Sequence, residues 1–166
     1  MRNQLSDGQV RMATLHLMVG LPCSGKTTLA RQLEKERSAL RLSPDDCHTR
    51  LFGNDVQDSG HDDRHDRIES ILWEIAARVL TLGVDVILDF GFWARSEREE
   101  YRRRARLLGA SSEIHFLDVP GPVLLERAAA RNARPDRGVF EIPTDKLRAW
   151  IDFFEPPTAE EINRRE

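Results

Sequence analysis

The run Gly20-Leu21-Pro22-Cys23-Ser24-Gly25-Lys26-Thr27 has the spacing G-x-x-x-x-G-K-[ST]. Residue types in this order suit the holding of phosphates. The glycines let backbone N–H groups turn inward around a phosphate chain, Lys26 can reach the β- and γ-phosphates, and the Thr27 hydroxyl can ligate Mg²⁺. The pattern carries most weight between a strand and a helix, and here an apolar run at 13–19 precedes it and good helix formers at 26–37 follow it. ATP or GTP with Mg²⁺ is therefore expected, cradled by Gly20, Pro22, Cys23, Ser24, Gly25, Lys26, Thr27 and Thr28. The loop alone leaves open whether the terminal phosphoryl passes to water, to a hydroxyl or nowhere.

Three further groups bear on that choice. Ser43-Pro44-Asp45-Asp46-Cys47-His48 leaves a second apolar run at 39–43, and a carboxylate at that strand end could take the proton of an incoming hydroxyl. Asp45 and Asp46 also suit the first turn of a helix, where the dipole stabilises them. Asp89 closes a third apolar run at 84–90, where a carboxylate would hold Mg²⁺ or its water. Arg127, Arg131 and Arg134 recur at i, i+4 and i+7 on an Ala-rich helix between Pro122 and Pro135. Such a stripe is either a solvated face or a lid that neutralises a transferring phosphoryl group.

Other groupings read more plainly. His61 and His65 stand at i, i+4 without an evident third metal ligand, so a capped helix N-terminus with solvated histidines is expected. The stretch 95–106, with six Arg and three Glu, reads as a salt-bridged outer helix. Phe90, Phe92 and Trp93 could wall a pocket or pack under the next helix.

Elements that would position these residues alternate along the chain. Helical spacing at 63–82 (Ile68, Ile71, Leu72, Ile75, Ala76, Val79, Leu82) ends at Gly83, and a charged helix at 96–108 ends at Gly109. A strand at 113–119 follows, then a helix from Pro122, and a last helix capped by Thr144 with Leu147, Trp150, Ile151 and Phe154 on one face. Pro156-Pro157 closes the fold in this reading. Strand–helix alternation implies right-handed crossovers and a parallel sheet covered on both faces, an α/β class whose ligands sit at the carboxyl ends of the strands. The expected division is a flexible polar leader at 1–11, one domain at 12–157 with a lid at about 120–138, and a polar tail at 158–166.

Composition bounds the possibilities. At 166 residues, 40% hydrophobic and 32% charged, the chain suits one folded domain. Lys and Arg total 25 against 28 Asp and Glu, a net of −3, so no global positive field draws it to nucleic acid or anionic lipid. No run reaches the ~20 apolar residues of a membrane span, and Cys23 and Cys47 lack metal or disulfide spacing; a cytoplasmic protein is expected.

The segments GLPCSGKTTLAR, SPDDCHTRLF, VILDFGFWARSERE and FLDVPGPVLLERAAARNARP, with VFEIPTDKLRAW after them, resemble the small P-loop kinases grouped as AAA-type ATP-binding proteins. Polynucleotide 5′-hydroxyl kinases are the nearer well-understood relatives, and the zeta-toxin and chloramphenicol phosphotransferase families the more distant. The likeness runs from about Leu15 to Pro157. It implies a three-layer α/β/α fold with a four- to five-stranded parallel sheet in the order 2-3-1-4. It further implies ATP and Mg²⁺, Lys26 and Thr27 at the phosphates, a general base at Asp45 and lid arginines at Arg127 and Arg131. Two departures point away from a polynucleotide acceptor. Where those kinases carry an acceptor-gripping Arg three residues after the base, this chain has His48, with Arg50 beyond it. The segment 44–67 holds seven Asp against three Arg, a net of −4 that would repel a phosphate-rich strand. The expectation is thus a kinase acting on a hydroxyl-bearing small molecule, with a polynucleotide kinase and an ATP-hydrolysing switch as alternatives.

Overall fold

The computed structural model of the protein describes residues 12–133 and 141–164. Strand β1 (Thr14–Val19) is almost wholly buried and lies in the middle of the sheet, as its continuous apolar run requires. It pairs in parallel with β3 (Val86–Gly91) on one side and β4 (Ser111–Phe116) on the other, while β2 (Leu40–Leu42) borders β3. The order β2-β3-β1-β4 is the one the resemblance implies. Among the described residues the sheet has four strands.

Side-chain alternation along β1 supplies both layers. Leu15, Leu17 and Val19 face the long helix α3 (His61–Thr81) and α4 (Arg95–Leu107), whereas Met18 faces α1 (Lys26–Arg37) through Ala30 and Leu33. On α3 only Ile68, Leu72, Ala76 and Leu80 are buried; Ile71, Ile75 and Leu82, read above as part of the same stripe, stay exposed. One i+4 ridge of the helix meets the sheet, so the apolar pattern is broader than the packed face. A third apolar cluster joins α5 (Gly121–Asn132) to α6 (Thr144–Phe153) and to the phosphate loop through Leu21, Leu124, Ala128, Ile142 and Leu147.

Several expectations need correction. Thr144 is the first residue of α6 and makes no side-chain cap; Pro143 occupies the cap position. Strand β4 begins two residues earlier than its apolar run, because Ser111 pairs with Thr14 through the backbone ladder and through a 2.9 Å hydroxyl contact. Pro156-Pro157 does not close the fold. Beyond it, Thr158 and Glu161 form a capping box for α7 (Ala159–Asn163), and Glu161 is buried in an ion pair with Arg98 at 3.0 Å. Arg98 and Arg102 on α4 are likewise buried, bonded to Glu161 and to backbone carbonyls of the C-terminal segment, so the stretch 95–106 is not simply an outer helix. Arg103 and Arg104 do keep the expected surface pairing, both with Glu100. Of the expected leader, lid and tail, residues 1–11, 134–138 and 165–166 lie outside the described residues, Arg134 and Pro135 among them.

Candidate active site

Where β1 ends, the chain turns sharply. Gly20 (φ +149°) donates its N–H to the Gly91 carbonyl at 3.0 Å, which pins the loop to the end of β3. A Cβ on Gly20 would fall 2.9 Å from Ser24 Oγ and 3.2 Å from the Leu117 carbonyl, so a side chain there would break the turn. Gly91 (φ +112°) is as constrained, because a Cβ would lie 2.9 Å from Trp93 Nε1. Cys23 (φ +64°) completes the curve, and Gly25 caps α1 without any side-chain hydrogen bond. The first turn of α1 thus has no side-chain cap among the described residues, and the helix dipole favours an anion there.

Lys26 lies half-buried within this loop and donates to the Leu21 carbonyl at 2.8 Å. Burial pushes its ammonium below the usual lysine range, against the pull of Asp89 and Asp45. Thr27 donates its hydroxyl to Asp89, whose carboxyl is raised by burial despite that bond and the cations Lys26 and Arg41. Asp89 is also held by Arg41 at 3.0 Å, and the same guanidinium pairs with Asp46. Sequence reasoning missed Arg41; a charged residue in the middle of the short apolar strand β2 was the available signal.

Arg41 also separates the two adjacent acids. Ser43 caps α2 (Pro44–Phe52) by accepting from the Asp46 N–H, so Asp45 and Asp46 both sit in the first helical turn. Asp46 turns toward Arg41, while Asp45 stays largely exposed and opens onto the cavity, with His65 Nε2 at 4.0 Å. From above, α5 brings Arg127 to the Cys23 carbonyl at 3.2 Å and Arg131 to Cys23 Sγ at 4.0 Å. At the end of α5, Asn132 bonds the Ile142 backbone at both its amide groups, which fixes α5 relative to the chain entering α6.

These parts enclose one cavity of about 720 Å³. Pro22, Cys23, Gly25, Lys26, Thr27, Thr28, Asp45, Asp89, Arg127 and Arg131 all reach it, whereas Gly20 and Ser24 lie behind and shape the loop. The aromatic triplet divides. Phe90 and Trp93 line the cavity, Trp93 against Trp150 at 5.3 Å, while Phe92 (φ +49°) is buried in the core. Of the seven acids in 44–67, Asp45, Asp62 and Asp66 line it; Asp55 is turned into hydrogen bonds with His48, His61 and Arg64. His61 and His65 line the wall beside them and are not simply solvated, since His48 from α2 packs against both rings.

A loop of the P-loop pattern, with carboxylates and arginines lining the same cavity, suits phosphoryl chemistry, and comparison with known proteins agrees. The AAA domain family profile matches residues 15–157. This chain belongs to that family. The AAA domain shares its fold with a putative kinase from Chloroflexus aurantiacus J-10-fl (19% identity, TM-score 0.69, 89% of this chain and 82% of that one). It also resembles a gluconokinase from Sinorhizobium meliloti 1021 (19% identity, TM-score 0.59, 92% and 80%). A chain of the Pnkp1/Rnl/Hen1 RNA repair complex aligns at 21% identity and TM-score 0.68 over 89% of this chain, which spans 45% of that one. No curated protein matches the sequence. The AAA domain is thus a P-loop protein of kinase-like α/β fold, and no helix among its described residues is long and apolar enough to cross a membrane.

Proposed function

We propose that the AAA domain is an ATP-dependent kinase that passes the γ-phosphoryl group directly to a hydroxyl of a small-molecule acceptor. The observation that carries this reading is that Asp45 opens onto the same cavity as Lys26, Arg127 and Arg131. Lys26 and the loop amides orient the triphosphate. Asp45 takes the proton of the acceptor hydroxyl as the oxygen–phosphorus bond forms, and the bond from Pγ to the β-bridging oxygen breaks in line, releasing ADP. Arg127 and Arg131 balance the charge on the transferring oxygens. Thr27, with Asp89 beside it, would hold Mg²⁺, which when bound neutralises the β- and γ-oxygens. A cytoplasmic setting fits this use of ATP.

Acceptor charge supports a small molecule over a polynucleotide. Asp62, Asp66 and Glu141 line the same cavity as Asp45, Lys146 adds a cation beyond Lys26, Arg127 and Arg131, and Trp93 and Trp150 offer apolar faces to a ring or an amine. The likeness to a chain of an RNA repair complex keeps an oligonucleotide in the test. The deciding experiment is ATP turnover with ³¹P detection of product against nucleosides, oligonucleotides, sugars and aminoglycoside-like antibiotics. Slow turnover that accelerates with one acceptor, and a phosphomonoester product, is the expected result. Acceptor-independent hydrolysis throughout points instead to a nucleotide switch. Asp45→Asn is expected to abolish transfer while ATP still binds; transfer retained in that variant removes the base assignment.

A further inference from the structure

Three histidines meet where α2 crosses the start of α3. His48 is fully buried, and its ring centroid lies 4.4 Å from that of His61 and 5.5 Å from that of His65. His61 and His65, one turn apart on α3, stack at 5.9 Å and 22°. One ring nitrogen from each of the three lies within 4.8 Å of the other two. No element of the proposed phosphoryl transfer uses this cluster.

Asp55 holds one nitrogen of each of two of these rings. Its Oδ1 meets His48 Nε2 at 2.8 Å and His61 Nδ1 at 2.7 Å, while its Oδ2 accepts from Arg64 Nε at 2.9 Å. Beside that guanidinium the carboxylate is ionised and can only accept, so both imidazoles donate to it. In the neutral ring the opposite nitrogen then carries the lone pair, the tautomer a metal ion needs. A carboxylate that orients imidazole ligands in this way is the usual second layer of a metal site. His65 adds an independent sign, because its Nδ1 is buried without a hydrogen-bond partner, while its Nε2 faces Glu69 at 3.6 Å and Asp45 at 4.0 Å. His61 and His65 line the large cavity, which gives an ion a way in.

A second histidine cluster lacks these properties. His16 Nδ1 and His115 Nε2 bond each other at 2.9 Å instead of facing a common point, no carboxylate among the described residues hydrogen-bonds either ring to orient it, and neither residue borders the cavity.

We propose that His48, His61 and His65 form a binding site for a divalent cation of the zinc class, oriented by Asp55 and opening onto the acceptor side of the cavity. Three imidazole ligands suit Zn²⁺ and its neighbours rather than Mg²⁺, so the site is chemically distinct from the one expected at the phosphates. Among the described residues the group has three members, so water or an acceptor heteroatom would complete four-coordination. The site ties α2, which carries Asp45, to the first turns of α3, and it does not depend on the kinase reading.

The test uses untagged full-length protein stripped with a chelator, then titrated with Zn²⁺ by calorimetry and with Co²⁺ by visible absorption, both in excess Mg²⁺ to mask the phosphate-side position. One equivalent with a tetrahedral cobalt spectrum is expected. His65→Ala and His61→Ala should each weaken Zn²⁺ binding by at least 100-fold, Asp55→Asn by roughly 10–100-fold, and His115→Ala should leave it unchanged. Zinc-edge X-ray absorption on the unmodified protein should show imidazole ligation, a readout independent of whether any variant folds. Absence of stoichiometric binding, unchanged affinity in both α3 variants, or loss of binding in His115→Ala alone would overturn the proposal.

Discussion

Lys26 and Arg131 both line the cavity, one half-buried inside the loop and one reaching toward Cys23 from α5. Their substitutions should separate. Burial already weakens the Lys26 ammonium, so a phosphate chain is its natural counter-charge, and Lys26→Ala is expected to lose nucleotide binding, measured by titration of a fluorescent ATP analogue. Arg131 would act on charge that develops during transfer. Arg131→Ala should lower kcat by roughly 10²–10³-fold, the scale seen for loss of an oxyanion donor, with a smaller change in KM for ATP. Unchanged kcat would return the α5 arginines to a solvated stripe. Lys26, Thr27 and the two arginines are legible from sequence because the loop is contiguous and the arginines follow helix periodicity. Arg41 is not, since its partner Asp89 lies 48 residues away.

Among the elements, the C-terminal strap departs most from expectation. Arg98 and Glu161 are both buried, and Arg98 also donates to the carbonyl of Glu155 at 2.9 Å, so α4 holds the segment beyond Pro156-Pro157 in place. Burial pushes the Glu161 carboxyl up, but hydrogen bonds from Arg98 and the Thr158 backbone outweigh it, and the group ends below its ordinary range. Removing one partner strands the other charge in the interior. Glu161→Ala should therefore destabilise the fold by about 3–5 kcal/mol, whereas a double Arg98→Met, Glu161→Leu change should cost much less. Urea denaturation of both variants checks this; equal losses would mean that packing, not the charge pair, dominates. The helices α3 and α4 were readable because their composition and the glycines that follow them, Gly83 and Gly109, are local signals. The fate of α7 was not, because a five-residue polar helix gains its stability from a partner on α4.

Across the whole molecule, pH acts through the sheet interior. His16 sits in β1, and burial, aided by the neighbouring His115, lowers it to about 4, against the opposing pull of Glu113 and Asp85 and with Arg37 adding to the shift. The sign is fixed by proton count: below about pH 6.5 the unfolded chain binds a proton that the folded chain refuses until about pH 4. Stability should thus fall as pH drops through that window, by up to about 3 kcal/mol from this residue. His16→Gln should flatten that part of the profile, so the difference in urea midpoint between the two proteins should shrink on acidification from pH 7 to 4.5. A constant difference would show that His16 does not titrate this way. The α/β class matched expectation, since each strand and helix announces itself by its own periodicity, while the strand order is the one that the family resemblance implied.

What could be read along the chain was whatever depends on neighbours in order: the phosphate loop, the helix stops, and the acid at the end of β2. Backbone turns and helical faces are made by residues close in sequence, so type and spacing suffice for them. What depended on packing was which groups share a cavity and which charges are buried. Asp46 turned to Arg41 while Asp45 faced the cavity, Asp55 joined two helices through His48 and His61, and Arg98 met Glu161 across 63 residues. Such pairings follow from the sheet's crossovers, which bring distant side chains together without leaving a local pattern.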